Sequence, residues 1–86
     1  MELRAAIRFR KVVSFDYQGI RYTVEPHDLA QVLPSGTLTL EGWIRDGGPP
    51  GWQSFKYCKI KNMVVHNLAF VPREIKRGGR LTVVAA

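Results

Sequence analysis

The sequence predicts a mainly β domain, a small and strongly bent β-barrel of five or six strands behind a short N-terminal helix. Three observations carry this. The chain has 86 residues, enough for one domain. Short β-prone runs recur along it, most of them closed by glycine- or proline-bearing turns. Helical spacing longer than a single turn is confined to its first ten residues.

That helix is expected over residues 2–10, where Leu3, Ala6 and Ile7 share one side and alanine and arginine favour the conformation. A helix so short is marginal alone and must dock its Leu3/Ile7 side on the rest of the fold. Val12 to Tyr17 alternates, with Val13, Phe15 and Tyr17 on one face. Gln18-Gly19 then turns the chain into a second strand, Ile20 to Val24, completing a hairpin. Glu25-Pro26 is expected to end it, because proline cannot donate to the ladder. His27 to Leu33 reads as irregular chain or a third strand.

Pro34-Ser35-Gly36 makes a turn. Leu38, Leu40 and Gly42 share a face of the strand that follows, Thr37 to Trp43. The segment Asp46-Gly47-Gly48-Pro49-Pro50-Gly51 is too short for a domain linker and reads as the tip of a long hairpin. Trp52 to Tyr57 returns with Phe55 and Tyr57 inward. Ile60 and Met63 are spaced like a tight helical turn, and Val64 to Val71 forms a last strand. Residues 1–72 thus make the barrel, and 73–86 a basic C-terminal tail or edge strand containing Leu81-Thr82-Val83-Val84.

An apolar fraction of 45% beside 23% charged residues is globular rather than disordered. A lone cysteine, Cys58, excludes an intramolecular disulfide and fits a reducing compartment. The charged start, Met1-Glu2-Leu3-Arg4, lacks a signal-peptide core, and no apolar run is long enough to span a bilayer. A cytoplasmic protein with no membrane partner is expected. The net charge of +6 is concentrated in residues 61–86, which carry five basic residues against Glu74 alone. That excess is either a solvated tail or a phosphate-contacting one.

Catalytic and metal chemistry find little support. Neither His27 nor His66 lies in a motif with Ser14, Ser35, Ser54 or Cys58. His27, Asp28 and His66 lack metal-ligand spacing. No enzyme activity, cofactor or metal is therefore expected. Cys58 is expected to be a buried small apolar residue, and His66 to face solvent.

The order of features resembles the WYL domain, a small SH3/Sm-like barrel of bacterial transcription regulators, here stand-alone and divergent. The resemblance covers roughly residues 3–72. It rests on Ala6-Ile7, Val13-Ser14-Phe15-Asp16-Tyr17, Arg21, Val24-Glu25-Pro26-His27-Asp28-Leu29 and Gly36. It continues through Leu38-Thr39-Leu40-Glu41-Gly42-Trp43, Trp52 to Ile60, Phe70 and Pro72. Leu38-Thr39-Leu40 stands where the family has Trp-Tyr-Leu; Lys56 and Lys59 stand for two arginines, and Cys58 for an aspartate. The resemblance implies a regulatory domain that senses nucleic acid or a nucleotide-like anion, and it places Arg21, Lys56 and Lys59 around one face. Tyr17, Tyr22, Trp52 and Tyr57 are interleaved with them, as in single-strand binders that stack bases on aromatic rings.

Each of these residues has a second reading. Tyr17 and Tyr57 alternate in phase with Phe15 and Phe55, which makes them core. Trp43 and Trp52 either cover the barrel end, form a subunit contact or meet ligand. Arg21 can pair with Asp16, and His27 is either a hydrogen-bonded structural residue or a ligand contact. Strict alternation sets Lys59 beside Phe55 and Tyr57, so a bend or bulge near Cys58 is needed to aim it across the barrel mouth.

The leading expectation is a non-enzymatic domain for single-stranded nucleic acid or a nucleotide-like anion, regulatory in transcription, using Arg21, Lys59, Lys56, Tyr17, Tyr22, His27 and Trp52. The alternative is a protein-protein interaction or self-association module with an exposed strand edge, whose partner is a second copy or a DNA-binding regulator.

Overall fold

The leading helix forms, two residues shorter than its spacing predicts. In the computed structural model, which describes residues 2–32 and 36–73, α1 runs Glu2–Arg8. Leu3 and Ala6 are buried and Ile7 packs against the same core. The helix stops because Arg10 takes φ 58°, a left-handed conformation that a helix cannot continue through.

Strands β1 (Lys11–Tyr17) and β2 (Ile20–Val32) form the expected hairpin. Its two-residue turn has φ 52° at Gln18 and 81° at Gly19, the positive pair that matches strand twist. Val13, Phe15 and Tyr17 are buried on one face.

Pro26 does not end β2, contrary to the sequence expectation. The strand passes through it for 13 residues, and the pairing with the next strand shifts register between Pro26 and Asp28. A bulge absorbs the missing N–H and bends the strand instead of breaking it. His27 to Val32 is accordingly the second half of β2.

Three more strands follow: β3 (Thr37–Asp46), β4 (Gly51–Lys56) and β5 (Lys61–Ala69). Leu40, Gly42 and Ile44 of β3 are buried, as alternation predicts. The chain leaves β4 one residue early, and the bend expected near Cys58 takes the form of a 3-10 turn, Tyr57–Lys59, instead of a bulge in a continued strand. Met63 belongs to β5 rather than to a helical turn, and that strand begins three residues before the predicted Val64. Cys58 is exposed because the 3-10 turn carries it off the sheet. His66, expected in solvent, is half-buried and shares a 2.8 Å hydrogen bond with the Ser14 hydroxyl.

All pairings are antiparallel, in the order β4-β3-β2-β1-β5. Laid flat, β4 and β5 would sit about 19 Å apart, four strand spacings. Yet they are joined by the 3-10 turn and Ile60, which rise only about 2–3 Å per residue. Moreover, the Tyr17 hydroxyl of β1 accepts the Lys56 N–H at the end of β4, 3.0 Å away. The sheet therefore curls around its core, but its ladder remains open: among the described residues β4 and β5 each pair on one side only. Inside the curl, Phe55 sits at the centre of the rings, with centroids 5.0 Å from Phe15, 5.0 Å from Tyr17 and 5.2 Å from Tyr22.

One turn is held tightly against this sheet. Gly47 has φ 102°, and a Cβ there would run into the Arg21 carbonyl and the Tyr22 backbone. Gly47→Ala should cost about 1–3 kcal/mol through strain and overpacking, read as a lower urea midpoint with unchanged slope.

The basic residues Lys76, Arg77 and Arg80 and the expected edge strand Leu81-Thr82-Val83-Val84 lie outside the described residues, as do Pro34 and Ser35. Among the described residues no helix is long and apolar enough to cross a membrane.

Candidate functional site

Of the seven residues singled out from sequence, Tyr17, Tyr22 and Lys56 lie together, the Tyr17 and Tyr22 ring centroids 6.5 Å apart, and His27 and Trp52 form a second pair. Tyr17 is buried and Tyr22 half-buried against the core, so their faces are spent on Phe15 and Phe55 rather than open to a base. Arg21 is engaged at the hairpin end. It pairs with Asp16 at 3.0 Å and donates to the Asn62 carbonyl at 2.8 Å. The Asn62 amide, also bonded to Asp16, holds that carboxyl below its ordinary pKa, and Arg21 adds to the effect. Lys56 and Lys59 are exposed at the end of β4 and on the 3-10 turn. His27 and Trp52 lie together at the Pro26 bulge, ring centroids 4.7 Å apart.

The bulge holds the most elaborate polar cluster. Glu25 is 2% exposed, a costly place for a carboxylate unless it is paired and hydrogen-bonded. Arg73 meets it side-on, Nε at 2.7 Å and Nη2 at 3.4 Å, and Arg45 Nε lies 3.3 Å away. The Glu25 carboxylate in turn raises the Arg73 pKa above its ordinary value. The same guanidinium covers the Trp43 ring at 4.1 Å, and Trp43 stacks edge-on with Trp52 at 5.6 Å. His27 completes the cluster. Its Nδ1 lies 2.8 Å from the Glu25 carbonyl, which can only accept, so Nδ1 donates and Nε2 accepts the Arg73 N–H at 2.9 Å. These contacts make the cluster a clasp that ties Arg73 to β2 and β3, and His27, while held in it, also lines a groove with Ile7, Arg8 and Arg10.

Burial lowers the His27 pKa, outweighing the Glu25 carbonyl, which favours the cation. A histidine whose folded pKa is depressed contributes fully above its unfolded pKa, about 6.5. That contribution is lost as pH falls through the folded value. Protonating Nε2 would also remove the acceptor for Arg73. Between about pH 7 and about pH 5, the melting temperature of the wild type should fall more than that of His27→Gln.

A different set of cations borders open space. Beside α1 lies a groove of about 390 Å³ lined by Arg4, Ile7, Arg8, Asp28, Leu29, Ala30 and Gln31. A second, of about 230 Å³, shares Ile7 and Arg8 and adds Arg10, His27 and Phe70. Arg4 and Arg8 are four residues apart and so share a helix face. None of Arg4, Arg8 and Arg10 forms an ion pair with a described residue. Asp28, the one carboxylate lining these grooves, accepts the Leu29 N–H at 2.9 Å. Sequence reading passed over these arginines because they serve equally well as helix formers; their i, i+4 spacing was the available signal.

The Ser14–His66 contact brings a hydroxyl and an imidazole together, but Ser14 also shares a 2.9 Å hydrogen bond with Thr23. The pair reads as a cross-strand polar link between β2, β1 and β5. Among the described residues no group of three or more His, Cys, Asp or Glu side chains is arranged to hold a metal. Comparison of the chain with protein-family models, with curated proteins and with solved structures returns no match.

Proposed function

We propose that this protein is a non-enzymatic binding domain for a nucleic acid or nucleotide-like anion, regulatory in transcription as the WYL resemblance implies. The single observation that carries the reading is the set of three arginines without a carboxylate partner among the described residues, Arg4, Arg8 and Arg10, bordering two adjoining grooves. A guanidinium left free of carboxylates is available to fork onto a phosphate. With Tyr17 and Tyr22 committed to the core, recognition falls on the phosphate backbone more than on stacked bases. A short N-terminal helix before a five-stranded antiparallel sheet is compatible with an SH3/Sm-like fold.

The test is a titration of short fluorescent single-stranded DNA and RNA across a range of salt. Binding that weakens with salt and is lost in Arg8→Glu supports this reading. Binding lost in Arg21→Glu or Lys59→Glu, with Arg8→Glu unaffected, would return the site to the hairpin end.

A further inference from the structure

The second groove beside α1 has a wall that is fastened by a titratable group. Phe70 and Pro72 line that groove together with Arg8, Arg10 and His27. The segment that carries them, residues 70–73, is tied down at both ends. At one end the Phe70 N–H donates to the Arg10 carbonyl at 2.9 Å. At the other the Arg73 N–H donates to His27 Nε2, also at 2.9 Å, and the Arg73 guanidinium donates to Glu25. With Nδ1 committed to the Glu25 carbonyl, Nε2 can accept the Arg73 N–H only while it carries no proton. His27 therefore borders the groove and holds its wall at the same time.

We propose that anion capture in this groove is coupled to proton uptake by His27, which releases the Arg73 N–H and becomes a third cation beside Arg8 and Arg10. The inference rests on the reading of the arginine grooves as an anion site and adds its regulation. The groups around the ring set the direction. Burial is the strongest influence and, with the Arg73 guanidinium, disfavours the imidazolium; the Glu25 carbonyl and carboxylate of β2 favour it. Arg45 of β3 shares that carboxylate, and Arg8 of α1 and Arg10 beyond it border the same groove. Trp52 of β4 and Phe70 bring only uncharged rings. A negative charge set among these arginines favours the imidazolium, and it offers the new Nε2–H a charge-assisted acceptor. The ion pair of Arg73 with Glu25 does not need His27, so the wall loosens without detaching. An anion that favours the charged ring is in turn held more tightly by it. Affinity therefore rises as pH falls through the ring's value in the complex, and levels off below its lower value in the free protein.

The test titrates the full chain at fixed ionic strength with a short fluorescent thymidine oligonucleotide, whose own charge is constant between about pH 7.5 and about pH 5.5. The wild type should bind at least about fivefold more tightly at the lower pH, within the limit of about tenfold per pH unit that one proton sets. His27→Gln keeps an acceptor for the Arg73 N–H but cannot take up the proton, so its affinity should vary by less than about twofold over that range. His66→Gln, which removes the other imidazole, should keep the wild-type pH dependence. Should His27→Gln fail to fold, calorimetry of the wild type in two buffers of different ionisation heat gives a second reading. It should show net proton uptake on binding near about pH 6. No binding at either pH overturns the anion reading and this inference with it. Binding that is lost in Arg8→Glu yet equal at the two pH values, or that takes up no proton, overturns the coupling alone. A pH dependence that survives in His27→Gln or vanishes in His66→Gln also overturns it, moving the proton elsewhere.

Discussion

Phe55→Ala should cost the protein about 3–5 kcal/mol of stability. Phe55 is fully buried, and its ring meets Phe15, Tyr17 and Tyr22 within 5.2 Å. It is also the only β4 residue buried at the core, so truncation leaves a void where the curled sheet faces itself. Removing a buried phenylalanine costs about 3–5 kcal/mol, and the edge-on ring contacts lie within that range. A chain of this length is stable by about 4–13 kcal/mol, so the variant should lose at least about a quarter of its stability and unfold at a correspondingly lower urea concentration. Val71→Ala, at a position 84% exposed, should stay within about 0.5 kcal/mol of wild type. Equilibrium urea unfolding of the two variants separates these outcomes; similar midpoints would mean that the ring cluster is not the centre of the core.

Arg8→Glu should have the largest effect on binding. Arg8 borders both grooves beside α1, so reversing its charge places a carboxylate between Arg4 and Arg10. Each phosphate neutralised on a single strand contributes about −0.7 to the slope of log K against log salt. Three arginines in contact therefore predict a slope near −2, falling toward about −1.4 when Arg8 is lost. At low salt the reversal should weaken binding by at least about tenfold, a change of roughly 1.4 kcal/mol. Arg21→Glu should do much less, because Arg21 already spends its guanidinium on Asp16 and Asn62. An unchanged slope in Arg8→Glu would place the phosphate contacts elsewhere.

Much of the fold could be read from local pattern because the forces that set it are local. Val13, Phe15 and Tyr17 alternate, Gln18-Gly19 supplies the positive φ pair, and Leu40 and Gly42 face inward as their spacing requires. What escaped depends on partners distant in sequence. Pro26 removes a donor wherever it stands, but only the register of β3 opposite shows that a bulge accommodates the loss. Tyr57 continues the alternation of Phe55, yet the chain must turn there to reach β5 on the other edge. His66 looked solvent-facing because its partner, Ser14, is 52 residues away.

The candidate site was less legible still. Charge and aromatic residues drew attention to Arg21, Tyr17 and Tyr22, three residues that the fold uses for its own cohesion. The arginines without a carboxylate among the described residues lie on α1 or just past its end, where their presence needed no functional explanation. Arg73 could not have been paired with Glu25 by any local rule.

That last pairing bears on how the chain is made. Synthesis delivers α1 and four strands by Lys56, and Glu25 with them, while β5 and Arg73 are still to come. Until residue 73 leaves the ribosome, the carboxylate at the bulge has Arg45 as its ion-pair partner, and His27 Nε2 lacks the N–H it accepts. The strands already exposed therefore gain little from closing around Glu25 early. Completion of the fold waits for nearly the whole described chain: a chain ending just before Arg73 and released from the ribosome would contain all five strands with its clasp unfastened.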